Sequence, residues 1–477
     1  ISPGVGAGNT ATLSITGNLL LGGSSVVEAD IGGTTAGSQY DQISLSGNLT
    51  LGGDIRYQAV GGFTGGSGNS FALINPAGST SGTANVTTLA PNPAFVFGLT
   101  TTSGTLTIAG LMNFWTLAGD GNWNTGANWS RGVKPDSTVD AVIDQAGGAY
   151  TVTVNTAEAA RSLKMSGDET LSITAGSFDL AQAADIGAAA TMNLSGGTLQ
   201  GAGNLTINGS MTWSGGTQAT NTGTTTIAAG ASLNITGPVS LSRRIDNFGT
   251  TTWSGVGNIS TSGGGSSVVF DNKAGAQFLI QNDQTIQGDG GGAEVVINAG
   301  LLRKTVATGA TSLAGVVDFN NTGGTLDIQT GMLSFGSTFN PSGASTLTAG
   351  TLNFTAGGSG SGTFTTSAGT TVNFSGGTYT VAGGATLASS GLLAINGGTL
   401  TSTGSVTTSN LDLSLGTLNG AGGVTVNTAM NWSGGTQGTL NGTTTIAAGA
   451  SLGITGPVNL SRRIDNFGTT TWSGVGN

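Results

Sequence analysis

The sequence predicts an all-β chain: a right-handed parallel β-helix, or β-solenoid, of about 20 to 25 residues per coil with little or no α-helix. Three observations lead there. Short alternations such as Ser232-Leu233-Asn234-Ile235-Thr236 put apolar residues on one side and hydroxyl or amide groups on the other, the period of a half-buried strand. Glycine supplies 88 of 477 residues while proline supplies 8 and no three-residue period exists, so neither collagen nor a flexible Gly/Ser linker fits. Residues 211–258 recur almost unchanged at 430–477, an offset of 219 residues with 42 of 48 positions identical.

In chain order, residues 1–111 form the first solenoid segment, carrying ITGNLLLGG, then YDQISLSGNLTLGG, then the strand FALI. Residues 112–145 are a Trp-rich block, MNFWTLAGDGNWNTGANWSRGVKPDSTVDAVIDQ, that opens a new module. Residues 146–477 are a long strand-and-turn array containing the duplication. The only helix candidate is Thr156–Lys164, a weak one. Within the array, glycine offers positive φ at corners and Asn tolerates the left-handed region. An Asn-to-Gly turn recurs at Asn247, Asn272, Asn298 and Asn321; asparagines repeated at one corner can stack into an amide ladder. Coils ~4.8 Å apart would number about 22 to 24 and make a rod on the order of 110 Å.

Composition narrows function. The absence of Cys removes disulfides, thiolate metal sites and Cys nucleophiles; the absence of His removes the commonest general base and transition-metal ligand. Twelve basic against 22 acidic residues leave a net charge of −10, unsuited to nucleic acid or an anionic membrane. No stretch approaches the roughly 20 apolar residues of a membrane span, so this segment is expected not to insert. The chain opens without a signal peptide and in mid-pattern, and Asn477 falls inside the copied block. It reads as a mature piece of a longer repetitive protein.

The opening SPG with its TLSI strand, the YDQISLSGNLTLGG run and FALI resemble the end of an autotransporter-type passenger β-helix. The block FWTLAGDGNWNTGANWS is similar to the start of a coil array in giant bacterial surface proteins, and Asn298–Gly336 resembles their coils, which are loosely like filamentous-haemagglutinin adhesins. The resemblance implies a bacterial cell-surface, extracellular protein, with no catalytic residues to carry over. Here the passenger-end-like segment precedes the array-start-like block, the order expected across a junction of two modules.

Candidate sites are few. Asp120, Asn122 and Asn124 form a DxNxN run, a weak calcium candidate, because EF-hand positions six and twelve are Thr125 and Arg131; a tight turn between tryptophans is the plainer reading. GDGGGAE at Gly288–Glu294 reads as a corner. Asp136, Asp140 and Asp144, spaced by four, would share a face, and a polysaccharide lyase would need them beside a base such as Arg161. The Arg-Arg-Ile-Asp run occurs twice, as Arg243, Arg244 and Asp246 and as Arg462, Arg463 and Asp465. It reads as an outward ion pair or, more sharply, as a lateral contact between rods. Trp213, Trp253, Trp432 and Trp472 are expected in the core rather than as a glycan-stacking column. Thr225, Thr251, Thr444 and Thr470 are interrupted and make a poor ice-binding face. The sequons at Asn48 and Asn128 are expected by chance in so Asn- and Thr-rich a chain.

The expectation is therefore a non-enzymatic structural module of an extracellular fibre, without catalytic residues or cofactor. Its partner would be itself, joined head to tail between chains or covalently within a longer chain. A cell-surface adhesin for glycans or matrix is the alternative, and a β-helix lyase the remoter one.

Overall fold

The computed structural model describes residues 1–6, 8–66, 69–89, 95–100, 104–219, 222–262, 267–438 and 441–474; Asn477 lies outside them. Strands occupy 53% of the chain and helix 1%, in parallel stacked coils that make a β-solenoid of about 15 turns. The turns are fewer than the 22 to 24 expected, and the first coils of the chain are the long ones. The Asn18 carboxamide accepts from the Asn48 backbone 30 residues on, and Asn48 from Ser79 31 residues on.

Contacts divide the chain into two compact units. The first comprises Ile1–Glu169 with Asp179–Ala184. It begins with three parallel sheets of three strands, one built from Thr12–Ile15, Gln42–Leu45 and Ile74–Pro76. Alternation sends Ile43, Leu45, Leu49 and Ile55 inward to a common core with Tyr40 and Phe71. The parallel pattern then gives way to an antiparallel hairpin, Phe95–Thr100 against Thr105–Phe114. Trp115, Trp123 and Trp129 follow, edge to face at 5.2 and 4.7 Å between ring centroids, with the Trp129 indole donating to the Trp123 carbonyl at 2.8 Å. Thr156–Lys164 forms no helix; Ala157–Ala160 and Ser162–Met165 are strands. A nine-residue helix is marginal alone, and here Glu158 and Ala160 are buried on one side of the strand.

The second unit comprises Thr170–Phe178 and Asp185–Asn477. Its coils lay three short strands on three faces. Most follow the pattern seen in Thr224–Ile227 and Ser232–Ile235, where second and fourth side chains are buried and first and third face outward. Coil length varies, from 18 residues between Ser232 and Thr250 to 27 between Thr250 and Gln277. The interior is mainly aliphatic around the first copy and aromatic farther on. There Phe339, fully buried, lies 5.0 Å from Phe335 and 4.9 Å from Phe354, and Phe374 stacks on Phe354 at 5.4 Å. Such rings contribute by buried area and by their offset or edge geometry.

Candidate functional site: the duplicated arginines and the asparagine ladder

The strand Arg244–Asn247 alternates strictly: Ile245 and Asn247 are buried, Arg244 and Asp246 face outward. Arg244 pairs with Asp246 and with Asp271 on the next coil, both at 2.7 Å. Lys273 adds contacts to the same two carboxylates at 3.3 and 2.6 Å and stands 5.8 Å above the Phe248 ring. The carboxylates hold the Arg244 guanidinium above its ordinary pKa, Asp246 foremost. In the second copy Arg463 pairs with Asp465 at 2.6 Å, and the Arg463 side chain is 71% exposed.

Arg243 and Arg462 behave differently. They lie on the inward side of the chain, 1% and 3% exposed, so the lateral contact expected of them is corrected: a guanidinium inside the coil offers a neighbouring rod nothing. Arg243 donates through Nη2 to the Gly203 carbonyl at 2.6 Å, 40 residues back, while its Nε and Nη1 have no acceptor. Arg462 spends all its nitrogens: Nε on Thr444 Oγ1 at 3.0 Å, Nη1 on Gly420 O at 2.6 Å, and Nη2 on Gly422 O and Thr443 O. Beside each arginine the same hydroxyl-to-amide bond recurs, Thr225 to Gln218 at 2.8 Å and Thr444 to Gln437 at 2.7 Å. Burial lowers the pKa of both guanidiniums. Gly223 and Gly442 leave the path open, since a Cβ at either would overlap the guanidinium and a carbonyl of the coil before. Each arginine thus threads along the axis as a staple across three coils. Alternation already implied it, because Arg243 has the parity of Ile245; the rarity of buried arginine hid it.

The four asparagines fall in one buried column. Asn247 Nδ2 donates to Asn272 Oδ1 at 2.8 Å, Asn272 to Asn298 at 2.8 Å, and Asn298 to Asn321 at 2.7 Å. Asn321 ends the run on the Ser345 hydroxyl at 2.7 Å. The second donor position of Asn247 and of Asn272 caps a carbonyl, Gln277 O at 2.9 Å and Leu301 O at 3.1 Å. The ladder therefore satisfies corner groups that burial would otherwise leave costly.

The other candidates separate. Asp120 accepts from the Thr151 backbone, Asn124 bonds Thr156, and Asn122 lies in the strand Gly121–Asn122; their side chains do not converge on a cation position. Among the described residues no group of three acidic side chains is placed to hold a metal. Asp136 caps its own turn at Thr138, and only Asp140 lies in the strand Val139–Ile143, so the three aspartates form no column. Arg161 grips both Asp140 oxygens, which raises its pKa and keeps it charged. Glu294 of the glycine-rich corner is buried, accepting from the Thr261 hydroxyl and the Asp289 and Gly290 amides. Trp213, Trp253 and Trp432 are core residues, whereas Trp472 is 62% exposed. Thr225, Thr251 and Thr444 are buried, and Thr470, in register with the buried Leu452, is on the same inward side in the last described coils, so the threonines named for an ice-binding face present no outward column.

No family model, curated protein or solved structure matches the chain.

Proposed function

We propose that the chain is a structural module of an extracellular bacterial fibre, built by head-to-tail stacking of solenoid coils within one long chain or between chains. The supporting observation is the run of axial ties: the asparagine ladder across five coils from Asn247 to Ser345, and the two arginines that each reach back two coils. Such ties resist the separation of coils, which is the load a filament carries. Outward faces are mostly Thr, Ser and Asn, a coat that keeps a weakly charged solenoid hydrated.

The test is cryo-electron microscopy of undisaggregated material. Filaments with an axial layer line near ~4.8 Å support the reading; isolated particles that bind a carbohydrate array would replace it with the adhesin reading.

A further inference from the structure

The duplicated block does not return to the same side of the solenoid. In the first copy Ser210–Trp213, Thr217–Gln218 and Thr224–Ile227 take three successive faces. The face of Trp213 runs by unbroken parallel pairing through Ser232–Ile235 and Thr250–Trp253, then through Leu301–Lys304, Ser345–Leu347 and the first half of Thr386–Ile395. It continues through Ser405–Leu413 and Val424–Trp432 and arrives at Thr443–Ile446 and Arg463–Asn466. Those strands are the counterparts of Thr224–Ile227 and Arg244–Asn247, which in the first copy occupy a different face. The face of Gln218, followed the same way, arrives at Trp432 and Trp472. The face of Arg244 passes through the single-residue bridges of Phe339 and arrives at Gln437 and Leu460. All three ladders agree: 219 residues amount to a whole number of turns plus one face.

We infer that this one-face advance presents the same lateral contact patch on two sides of the solenoid, and that a second copy of this chain is what docks there. The inference rests on the fibre reading above. The patch is Arg244, Asp246 and Phe248 in one copy and Arg463, Asp465 and Phe467 in the other. Phe248 is 45% exposed with Lys273 of the next coil over its ring, and Phe467, in the last coils described, is 68% exposed. Arg and Asp alternate in sign along the outward edge, which Asp271 and Lys273 extend in the first copy. An antiparallel, two-fold approach of two such edges sets each arginine against the other chain's aspartate, a self-complementary contact. One patch per chain would give only pairs. Two patches on different faces let each chain join two neighbours in different directions, so that filaments gather into a bundle rather than a flat ribbon.

Two measurements test this, and their failures are distinct. The chain has no cysteine, so Thr226→Cys and Thr445→Cys, both outward positions, can each be labelled with a gold cluster and imaged. Labels on two different sides are expected; labels on one side would overturn the one-face advance. Lateral association is then followed by sedimentation and microscopy. Arg463→Glu alone should leave pairs in place of bundles, and Arg244→Glu with Arg463→Glu should leave single filaments, with association at least tenfold weaker. Mixing Arg244→Glu/Arg463→Glu chains with Asp246→Arg/Asp465→Arg chains should restore bundling through opposite charges. Bundling unchanged by the double variant, or no restoration on mixing, would overturn the patch. Loss of the axial layer line in the unsubstituted protein would instead remove the fibre reading.

Discussion

Arg243 Nη2 lies 2.6 Å from the Gly203 carbonyl oxygen, 40 residues and two coils earlier in the chain. A single side chain thus fastens three layers, as Arg462 does in the second copy, in a structure whose strands pair with those of adjacent coils. In solenoids stability is a sum of coil and nearest-neighbour terms; a tie that skips a coil adds cooperativity to that sum.

Arg243 has no carboxylate among its contacts, so its charge contributes less than its bulk. Arg243→Met should leave stability within about 1.5 kcal/mol of the parent or above it, because a well-packed apolar chain replaces an uncompensated charge. Arg243→Ala should cost about 2–5 kcal/mol through the cavity it leaves. Urea denaturation of the two variants, compared with the parent, decides; equal losses in both would mean that the hydrogen bond dominates.

The ladder predicts coupling. Asn272→Ala strands the Asn298 Oδ1 acceptor and removes the acceptor for Asn247, for an expected loss of about 2–4 kcal/mol from two unmet buried groups. Asn298→Ala should cost a similar amount. The double variant should cost less than the sum of the two, with an interaction energy of about 1 kcal/mol; strict additivity would show that the rungs act independently.

Phe339 supplies the one bridge residue that joins Phe319 to Gly358 on its face while packing against five aromatic rings. Phe339→Ala should destabilise the second unit by about 3–5 kcal/mol. Hydrogen exchange should show the coils around Ser345–Leu347 opening first, ahead of those near Leu233. Uniform exchange across the unit would contradict this.

In the first unit, burial raises the Glu169 pKa, partly offset by hydrogen bonds from its own amide and the Gly167 amide. A raised carboxyl binds its proton more tightly folded than unfolded. Its contribution to stability therefore falls as pH rises through the interval between the unfolded and folded pKa values. Glu169→Gln should be more stable than the parent at pH 7, and the difference should vanish as pH drops below the ordinary carboxylate range. Chemical-denaturation midpoints from pH 3 to 8 provide the check, and a gain independent of pH would refute the titration account.

Much of the architecture was legible in the residues. Alternation around Leu233 and Ile235, the copied block and the recurring Asn247, Asn272, Asn298 and Asn321 mark a solenoid and its corner ladder in the residues themselves. The coil count was not legible, because coils of 19 and of 30 residues coexist. The 30-residue period was nonetheless written in TGNLLLGG and SGNLTLGG, whose first residues are Thr16 and Ser46. The one-face advance was hidden for the same reason: it depends on the number of strands between the copies, which irregular corners conceal. Thr156–Lys164 misled through local preference, its alanines and Glu158 favouring a helix in isolation while pairing between coils made strands.

The ladder also has a direction. Every donated amide hydrogen in it points toward the later residue, from Asn247 through Asn321 to Ser345, and the first oxygen, Asn247 Oδ1, has no donor. A column with all its amides aligned has two unlike ends, an open acceptor and a terminating hydroxyl, however many rungs lie between. The defect is therefore fixed in size while the gain grows with each rung. Lengthening such a column by duplication makes every rung more favourable on average, and each coil that folds leaves an oriented, unsatisfied donor waiting for the one synthesised after it.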